Sequence, residues 1–247
     1  MNIAKNLIKT ASPRSHGHTI ADVRLGLGYT LVEIDDGSAG LAWTPDKKQS
    51  GSCTHLRRAG SLVGMAAGEL LAWLDSEVYL ERAIGLATFN ALNRTIEREL
   101  LEEESVSLLQ IKESDHVVMI GYFAPLIGRI KATGCQLTIV ELDGEKPGVI
   151  PVGPGMEALS ACDVAIITST SIINNSVGGL LAALRGHRAA VMLGPSTPVC
   201  PEAFASSGIT QLSGAYVVAT EEAKTIVSQG GGTMLLKKAL RFASARV

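Results

Sequence analysis

The first part of the chain mixes short strand-like runs with segments whose apolar positions repeat at the spacing of a helix. The turn sequence Asp35-Asp36-Gly37 separates two apolar runs, which predicts a β-hairpin. The expected elements are a helix over 2–10, strands over 23–34 and 40–44, a loop over 44–60, and helices over 61–74 and 77–92. This part of the chain is therefore expected to form a small α+β domain.

The second part of the chain alternates short apolar runs with helical segments on short connections. Such alternation predicts a parallel sheet with helices on both faces. The expected strands lie over 116–120, 136–142, 164–167, 189–193 and 216–219, and the expected helices over 124–133, 155–161, 174–184, 199–207 and from 221 onward, with a break at 230–232. A boundary near 105–115 divides the chain into an expected first domain over 1–110 and a second domain over 111–247.

Charges are sparse in the second part, where only five charged residues lie between Pro147 and Ser213. The uncharged run 164–184 is long enough to cross a bilayer, but seven Ser, Thr and Asn side chains cluster within it, which excludes a membrane span. Burial of parallel strands on both faces explains the missing charges instead. With 22 basic and 24 acidic residues, the chain has no charge excess that favours nucleic acid or an anionic membrane as a partner. Residues 1–20 lack the apolar segment of a secretory signal, so a cytoplasmic location is expected.

Polar or glycine-bearing segments follow four of the expected strands. In an open α/β sheet, ligands bind beyond the carboxyl ends of the strands, so these segments should meet at one crevice. The segments are Gly121-Tyr122-Phe123-Ala124-Pro125, then Glu141 to Asp143, then Thr168-Ser169-Thr170 with Asn174-Asn175, and Gly194-Pro195-Ser196-Thr197-Pro198. Their hydroxyl and N–H groups suit carboxylate, phosphate or carbonyl oxygens. A Ser or Thr at a strand end also commonly caps the following helix, so either role stays open for each hydroxyl.

The first of these segments differs from a dinucleotide-binding fingerprint. Gly121 and Gly128 are seven residues apart, with Tyr122 and Phe123 between them, and do not form GxGxxG. Glu141 nevertheless lies 20 residues after Gly121, where a nucleotide-binding fold keeps the acid that binds ribose. Two alternatives stay open: the helix after Gly121 receives an anion at its N-terminus, or the glycines only allow tight packing.

The cysteines and histidines of the chain form few candidate metal sites. The four widely spaced cysteines are Cys53, Cys135, Cys162 and Cys200. They form no CxxC pair, so neither a disulfide framework nor a zinc ribbon is expected. His16-Gly17-His18 and Cys53-Thr54-His55 are candidate ligand pairs, and each needs further ligands from elsewhere. Since the chain has no GxSxG, P-loop or HExxH motif, no reaction follows from motif spacing.

Five stretches of the second part together resemble a known family. They are GYFAPLIGRIK (121–131), IVELD (139–143), TSTSIINNSV (168–177), LGPSTPVCPEAF (193–204) and VSQGGG (227–232). In this order and spacing they resemble the bacterial and archaeal family labelled "putative heavy-metal chelation domain". Upstream, VRLGLGYTLVE (23–33) and ERAIGLATFNAL (81–92) are similar to the domain of unknown function that usually precedes it. The resemblance covers nearly the whole chain and is strongest from 116 to 232.

The resemblance implies a domain like the N-terminal domain of enolase, followed by a Rossmann-like domain, with a site for a metal or a metal chelate in the cleft between them. The ligand-binding residues that the matching motifs imply are Tyr122, Phe123, Pro125, Glu141, Asp143, Thr168, Ser169, Thr170, Asn174, Ser196 and Thr197. Gly121 and Gly194 would let a ligand approach the backbone. Cys200 lies within a matching segment and joins Cys53 and His55 as a candidate metal ligand, whereas Glu141 and Asp143 favour harder ions.

Three functional hypotheses result. The leading one is a cytoplasmic protein that binds a small polar or anionic ligand, a metal ion or a metal chelate in the interdomain cleft, with a metal ion as the candidate cofactor. The second is a transferase or lyase that uses a nucleotide-derived cofactor, with Glu141 on its ribose. The third is a non-catalytic interaction or assembly protein whose strand-end motifs are structural. No nucleic-acid or membrane partner is expected, and association into a homo-oligomer stays open.

Overall fold

The computed structural model describes residues 2–45, 55–94, 100–101, 103–141 and 146–247 of the 247-residue chain. The strands are β1 (Ile20–Leu25), β2 (Tyr29–Ile34), β3 (Ala39–Trp43), β4 (His116–Ile120), β5 (Gln136–Val140), β6 (Val149–Ile150), β7 (Val164–Thr168), β8 (Ala189–Leu193), β9 (Gln211–Val217) and β10 (Leu240–Arg246). The α-helices are α1 (Ile3–Ser15), α2 (Ala67–Ala72), α3 (Tyr79–Leu92), α4 (Ala124–Lys131), α5 (Val152–Ser160), α6 (Thr170–Ile173), α7 (Val177–Ala183), α8 (Pro201–Phe204), α9 (Thr220–Ser228) and α10 (Thr233–Leu236). Short 3-10 helices cover Trp73–Asp75, Ser107–Leu109 and Lys237–Ala239.

The first three strands form an antiparallel sheet in the order β1-β2-β3. The pairing of β2 with β3, from Tyr29 with Trp43 to Glu33 with Ala39, confirms the predicted hairpin. The prediction of one strand over 23–34 is wrong, because residues 26–28 form a second turn between β1 and β2. A side chain at Gly26 would overlap the carbonyl oxygen of Val227 in α9. A contact distant in sequence therefore requires glycine at this turn.

The helices of the first part differ in extent from the sequence prediction. The helix expected over 61–74 begins only at Ala67, since Gly64 has a left-handed backbone conformation (φ 83°) in the preceding turn. Helix α3 agrees with the prediction to within two residues, but every residue from Arg82 to Leu92 is buried, so the helix is not amphipathic. Helix α1 extends to Ser15, and most of the predicted loop over 44–60 lies outside the described residues.

The other seven strands form one sheet in the order β10-β9-β8-β7-β4-β5-β6. The pairs from β6 across to β9 are parallel, which confirms the predicted parallel sheet, and β10 is antiparallel to β9 at the edge. In chain order, the sheet begins with β4 and continues to one side through β5 and β6. The chain then crosses back and adds β7, β8 and β9 on the other side of β4. This is the strand order of a doubly wound nucleotide-binding sheet, and its switch point lies between β4 and β7.

The C-terminal part shows the largest departures from the prediction. The helix expected from 221 onward ends at Ser228, and the chain later returns as β10, which pairs with β9 from Leu240 to Arg246. Strand β9 spans Gln211–Val217 instead of 216–219. The helix expected over 174–184 begins only at Val177 as α7, because Asn175 has a left-handed conformation (φ 61°), and a separate short helix, α6, lies before it.

Close packing joins the two sheets. Helix α3 packs on β3 at Gly40, where a side chain would overlap the Ala87 carbonyl oxygen. One hydrophobic core runs from α1 and α3 to the face of the large sheet that carries Val118 and Ile167. Helix α4 and residues 106–109 cover the other face. The division into domains over 1–110 and 111–247 stays a prediction. Among the described helices, none combines the length and the apolar character that crossing a membrane requires.

Candidate functional site

The turns after β4 and β7 meet at the switch point of the large sheet. Gly121 follows β4 with a left-handed φ of 96°, and its N–H donates to the Val140 carbonyl of β5 (2.8 Å). A side chain at Gly121 would place its Cβ only 3.0 Å from the Cβ of Thr168. Glycine therefore lets the two turns approach this closely, and the structure brings Gly121 and Thr168 together.

The turn after β8 extends this contact to a third strand. Gly194 has a φ of 131°, and a Cβ there would lie 2.9 Å from the Ser169 hydroxyl oxygen. Ser169 is 1% exposed, and its N–H donates to the Leu193 carbonyl (3.0 Å). The Ser169 hydroxyl thus faces the space that the absent side chain of Gly194 leaves. Three strand ends, those of β4, β7 and β8, are in contact through two glycines.

The polar side chains after β7 hydrogen-bond within their own turn. The Oγ1 atoms of Thr168 and Thr170 lie 3.0 Å apart, and the Thr170 N–H donates to Thr168 Oγ1 (3.3 Å). The Asn174 side-chain oxygen accepts from the N–H and the hydroxyl of Ser176 (3.1 and 2.7 Å). Thr168, Thr170 and Asn174 are half-buried, so a ligand in the crevice could reach them. Their local bonds order the turn, as Ser, Thr and Asn side chains often do.

The end of β5 carries an ion pair that the sequence analysis did not identify. Lys146 Nζ donates to Glu141 Oε2 (3.0 Å) and lies 5.2 Å from the centre of the Tyr122 ring, a distance that suits a cation–π contact. The Glu141 and Lys146 side chains are 18% and 40% exposed. A lysine five residues after a strand-end glutamate matches no motif, so only the fold reveals the pair. Asp143 lies outside the described residues.

Phe123 and Pro125 begin the helix that follows β4. Phe123 is the N-cap residue of α4 and makes no side-chain hydrogen bond to the first turn, in which Pro125 lies. Proline is tolerated there because the first N–H groups of a helix have no partner within it. Phe123 is half-buried and Pro125 is exposed. The first turn of α4 therefore starts at the carboxyl end of β4 without a side-chain cap.

Ser196 and Thr197 connect the two sheets. They are 2% and 1% exposed, and the Trp43 N–H of β3 donates to the Ser196 hydroxyl (2.8 Å). The Asn90 amide of α3 donates to the carbonyl oxygens of Leu41 and Ser196 (2.8 and 3.2 Å). Thr197 Oγ1 is buried and has no hydrogen-bond partner among the described residues. Ser196 thus ties β3 to the turn after β8, and ligand binding by these two residues stays a prediction.

A buried arginine from the first part holds the segment after β7. Arg82 of α3 is 3% exposed and donates to the Ile172 carbonyl of α6 through Nε and Nη2 (3.2 and 2.8 Å). Nη2 also donates to Asn175 Oδ1 (3.1 Å), and Nη1 donates to the Ser76 carbonyl (3.2 Å). Burial lowers the pKa of the Arg82 guanidinium. The first part of the chain therefore fixes the short helix α6, which starts directly after Ser169.

The candidate metal ligands that the structure describes form no group of three. His55 is exposed, Cys200 is fully buried at the start of α8, and Cys53 lies outside the described residues. His18 Nδ1 lies 2.6 Å from Asp35 Oδ1, in a pair near the surface of the first part. In the described ranges, no three His, Cys, Asp or Glu side chains are close enough to hold a metal ion between them. The described residues therefore do not complete the predicted HxH pair into a metal site.

A cavity of about 230 Å³ lies beside α4, apart from the strand ends. It is lined by Val106, Ser107, Gln110, Ile111, Arg129 and Thr133. None of these is a predicted ligand-binding residue. The predicted ligand-binding residues after β4, β7 and β8 lie at the strand ends instead, which are therefore the candidate functional site.

Comparison with known proteins identifies the family. The family model DUF364, described as "Putative heavy-metal chelation", matches residues 104–246, which is more than half of the chain. The chain belongs to the DUF364 family. A second model with the same description, DUF4213, matches residues 8–93. The family that the sequence motifs resemble is thus confirmed.

One curated protein and two solved structures are similar to this chain along nearly its full length. A Methanocaldococcus jannaschii protein, named as uncharacterized, is 20% identical over 247 residues, covering 96% of this chain and 93% of its own length. The crystal structure of a DUF364 protein of unknown function from Pyrococcus horikoshii has a TM-score of 0.87 at 20% identity, covering 99% of this chain and 100% of that one. A DUF364 structure from Desulfitobacterium hafniense DCB-2, also of unknown function, has a TM-score of 0.79 at 22% identity, covering 98% and 99%.

Proposed function

We propose that the chain binds a small polar organic molecule, or a metal ion already held by such a molecule, in the crevice at the carboxyl ends of β4, β5, β7 and β8. The contact of these strand ends through Gly121 and Gly194 supports the proposal, because it gathers hydroxyl and backbone groups around one opening. The switch point of a doubly wound sheet is also where ligands bind in folds of this kind. The Trp43 N–H donates to the Ser196 hydroxyl and so joins β3 to the turn after β8, which contains Gly194.

The side chains at the crevice favour an oxygen-rich molecule over a bare heavy-metal ion. They are hydroxyls, the Asn174 amide and the Glu141 carboxylate, and Glu141 is paired with Lys146. Heavy-metal ions prefer thiolate and imidazole ligands. The described residues therefore do not fit a directly bound heavy-metal ion. The family description suits this chain better if the metal arrives as a chelate.

A second candidate is a transferase or lyase with a nucleotide-derived cofactor in the same crevice. The strand order favours it, and Glu141 follows β5, where such folds hold ribose hydroxyls. One observation favours the first candidate instead. The chain has no GxGxxG fingerprint.

Three further expectations accompany the proposal. Separate family matches over 8–93 and 104–246 support the division into domains over 1–110 and 111–247. The strand order supports a Rossmann-like second domain. A cytoplasmic location and a homo-oligomeric assembly stay expectations, which cell fractionation and light scattering would check.

Thermal unfolding and calorimetry of the full chain test the proposal. The probes are nickel chloride, citrate, the nickel–citrate complex, NAD+, S-adenosylmethionine and ATP. We expect citrate or its nickel complex to raise the unfolding temperature, because a ligand that binds only the folded state stabilises it. Thr168→Val should weaken this effect. Thr225→Val should not, since among the described residues the Thr225 hydroxyl donates to the Glu221 carbonyl within α9 (2.9 Å).

Two results would separate the candidates. Stabilisation by nickel chloride alone, unchanged in Thr168→Val, would contradict the proposal. A response restricted to the nucleotide-derived probes would support the second candidate.

A further inference from the structure

Near the Gly121 turn, the structure places Lys146 over the Tyr122 ring and the buried Ser169 directly after Thr168, which Gly121 contacts. We propose that the ligand of the crevice carries an oxyanion, a carboxylate or phosphate group, next to an alcohol hydroxyl. Lys146 and Ser169 bind the oxyanion, and Glu141 binds the hydroxyl. The assignment rests on the proposed function and names the class of ligand for the same site.

Ser169 supplies a buried hydroxyl next to the backbone of Gly194. The residue is 1% exposed, and its side chain forms no hydrogen bond within the part of the chain that the structure describes. Its oxygen faces Gly194, where a Cβ would lie 2.9 Å away. Buried hydroxyls in folded proteins are satisfied by a protein group, a water molecule or a ligand. The Ser169 hydroxyl is therefore available to donate to an oxygen that enters beside Gly194.

Lys146 supplies the positive charge. Its Nζ contacts Glu141 (3.0 Å) and the face of the Tyr122 ring, and its side chain is 40% exposed. An ion pair this exposed contributes little free energy, because water competes with it. An oxyanion can therefore join or replace Glu141 as the partner of Lys146 at small cost. The contact with Tyr122 keeps the lysine close to the Gly121 turn.

These groups are connected through adjacent residues. Lys146 contacts Tyr122, the preceding Gly121 contacts Thr168, and Thr168 precedes Ser169. Helix α4, eight residues long, follows Tyr122 and Phe123 and starts without a side-chain cap. The positive end of its dipole adds to the attraction for an anion.

Glu141 narrows the class of ligand. Its carboxylate lies beside Lys146 and would repel a second negative charge placed there. A carboxylate accepts hydrogen bonds, so an alcohol hydroxyl next to the oxyanion would donate to it. Hydroxy acids and sugar phosphates share this arrangement.

Calorimetric titration of the full chain with matched probes tests the proposal and separates the two sources of the oxyanion. L-malate is compared with succinate, and glycerol 3-phosphate with inorganic phosphate, so that only the first of each pair carries an alcohol hydroxyl. The wild-type chain should prefer the hydroxylated member of at least one pair. Lys146→Met should weaken binding of both members about tenfold, because a charge-assisted hydrogen bond is lost. Ser169→Ala should weaken it about threefold to tenfold.

Glu141→Ala should remove the preference for the hydroxylated probe without weakening the binding of succinate or inorganic phosphate. Lys237→Met and Ser228→Ala, at exposed residues, are the matched controls and should leave all affinities unchanged. Wild-type affinity should also fall as sodium chloride increases, because salt screens the contact between lysine and oxyanion. This salt dependence should be smaller in Lys146→Met, or in Lys146→Gln if the first variant does not fold.

Equal affinities in the wild type, Lys146→Met and Ser169→Ala would overturn the inference. If the affinities are equal but Thr168→Val weakens binding, the oxyanion inference is wrong and the proposed function still stands. Binding of uncharged or nucleotide probes alone would likewise overturn the oxyanion assignment. If nickel chloride binds and no organic probe does, both the inference and the proposed function fall.

Discussion

Replacement of Arg82 by methionine would remove the buried cation that joins α3 to α6. Arg82 donates four hydrogen bonds, two to the Ile172 carbonyl and one each to the Ser76 carbonyl and the Asn175 side chain. Methionine is unbranched and flexible like the arginine stem, so it fills much of the same space. The change therefore tests the hydrogen bonds by which the first part of the chain holds the segment after Ser169.

The expected size follows from burial. Hydrogen bonds to a charged group contribute about 1.5–3 kcal/mol each, and a buried carbonyl left unpaired costs about 1–3 kcal/mol. Part of this loss of stability is offset, because Arg82 is 3% exposed and the variant no longer has to desolvate a buried charge, which costs several kcal/mol. We expect the free energy of unfolding to fall by about 3 kcal/mol. Arg82→Lys should lose a similar amount, because lysine lacks the planar donor fork.

Urea unfolding followed by circular dichroism measures the change, and hydrogen exchange of residues 170–176 gives a local measure. Arg58→Met is the matched control. Arg58 is exposed and pairs with Glu69 at 3.4 Å, and such a surface pair contributes about 0–1 kcal/mol. If Arg82→Met costs no more than Arg58→Met and leaves exchange in α6 unchanged, the anchoring role of Arg82 is refuted.

Three other predictions concern packing, charge and thiol reactivity. Gly40→Ala should lower the free energy of unfolding by about 3 kcal/mol in urea titrations, because its methyl group would overlap the α3 backbone. Lys224→Met should lower it by about 2 kcal/mol at neutral pH, because Lys224 Nζ lies 3.4 Å from Asp22 and 2.9 Å from Glu33, whose side chains are largely buried. Burial alone would raise the pKa of Asp22, but hydrogen bonds and charges of Arg24 and Lys224 hold it below its usual value. The Asp22 contribution is therefore present above about pH 4 and is lost as the pH falls through the lowered pKa, so the effect of Lys224→Met should shrink in acid. Burial raises the pKa of the Cys162 thiol to about 11, so iodoacetamide should label Cys162 far more slowly in the native protein than in urea, as measured by mass spectrometry.

Each of these predictions has a control. Gly179 lies in α7 with open space around it, so Gly179→Ala should leave the free energy of unfolding unchanged or raise it. If Gly40→Ala has the same effect on the free energy of unfolding as Gly179→Ala, the packing argument is contradicted. Lys5→Met removes an exposed pair with Asp75 (3.8 Å) and should cost much less than Lys224→Met. Labelling of native Cys162 as fast as the unfolded chain would show that the thiol is not protected.

The strands at the centre of the sheet could be predicted because they are buried on both faces. The bounds of β4 and β8 agree with the prediction residue for residue. By contrast, β10 has no continuous apolar run, because Arg241, Ser244 and Arg246 interrupt its apolar residues. It becomes a strand through its pairing with β9, and tertiary pairing of this kind overrides local preference.

The same contrast applies to the candidate site. That Gly121 and Thr168 follow strands could be predicted, since strand ends show a local change in residue type. The importance of Lys146 could not, because it depends on the ring of Tyr122 and on the place of Glu141 in the fold. Ser196 was expected beside a ligand, whereas its hydroxyl accepts from the backbone of Trp43.

The sequence alone determined the central strands β4, β5, β7 and β8, the class of the fold and the family, because burial of strands and helices produces a periodic pattern in residue type. Only the tertiary structure decided that β4 and β7 flank the switch point. It also decided which polar groups form hydrogen bonds with other groups of the protein. The contacts of Gly26 with Val227 and of Arg82 with Ile172 join segments far apart in the chain. Such partners are chosen by the packing of the whole molecule, which no stretch of neighbouring residues specifies.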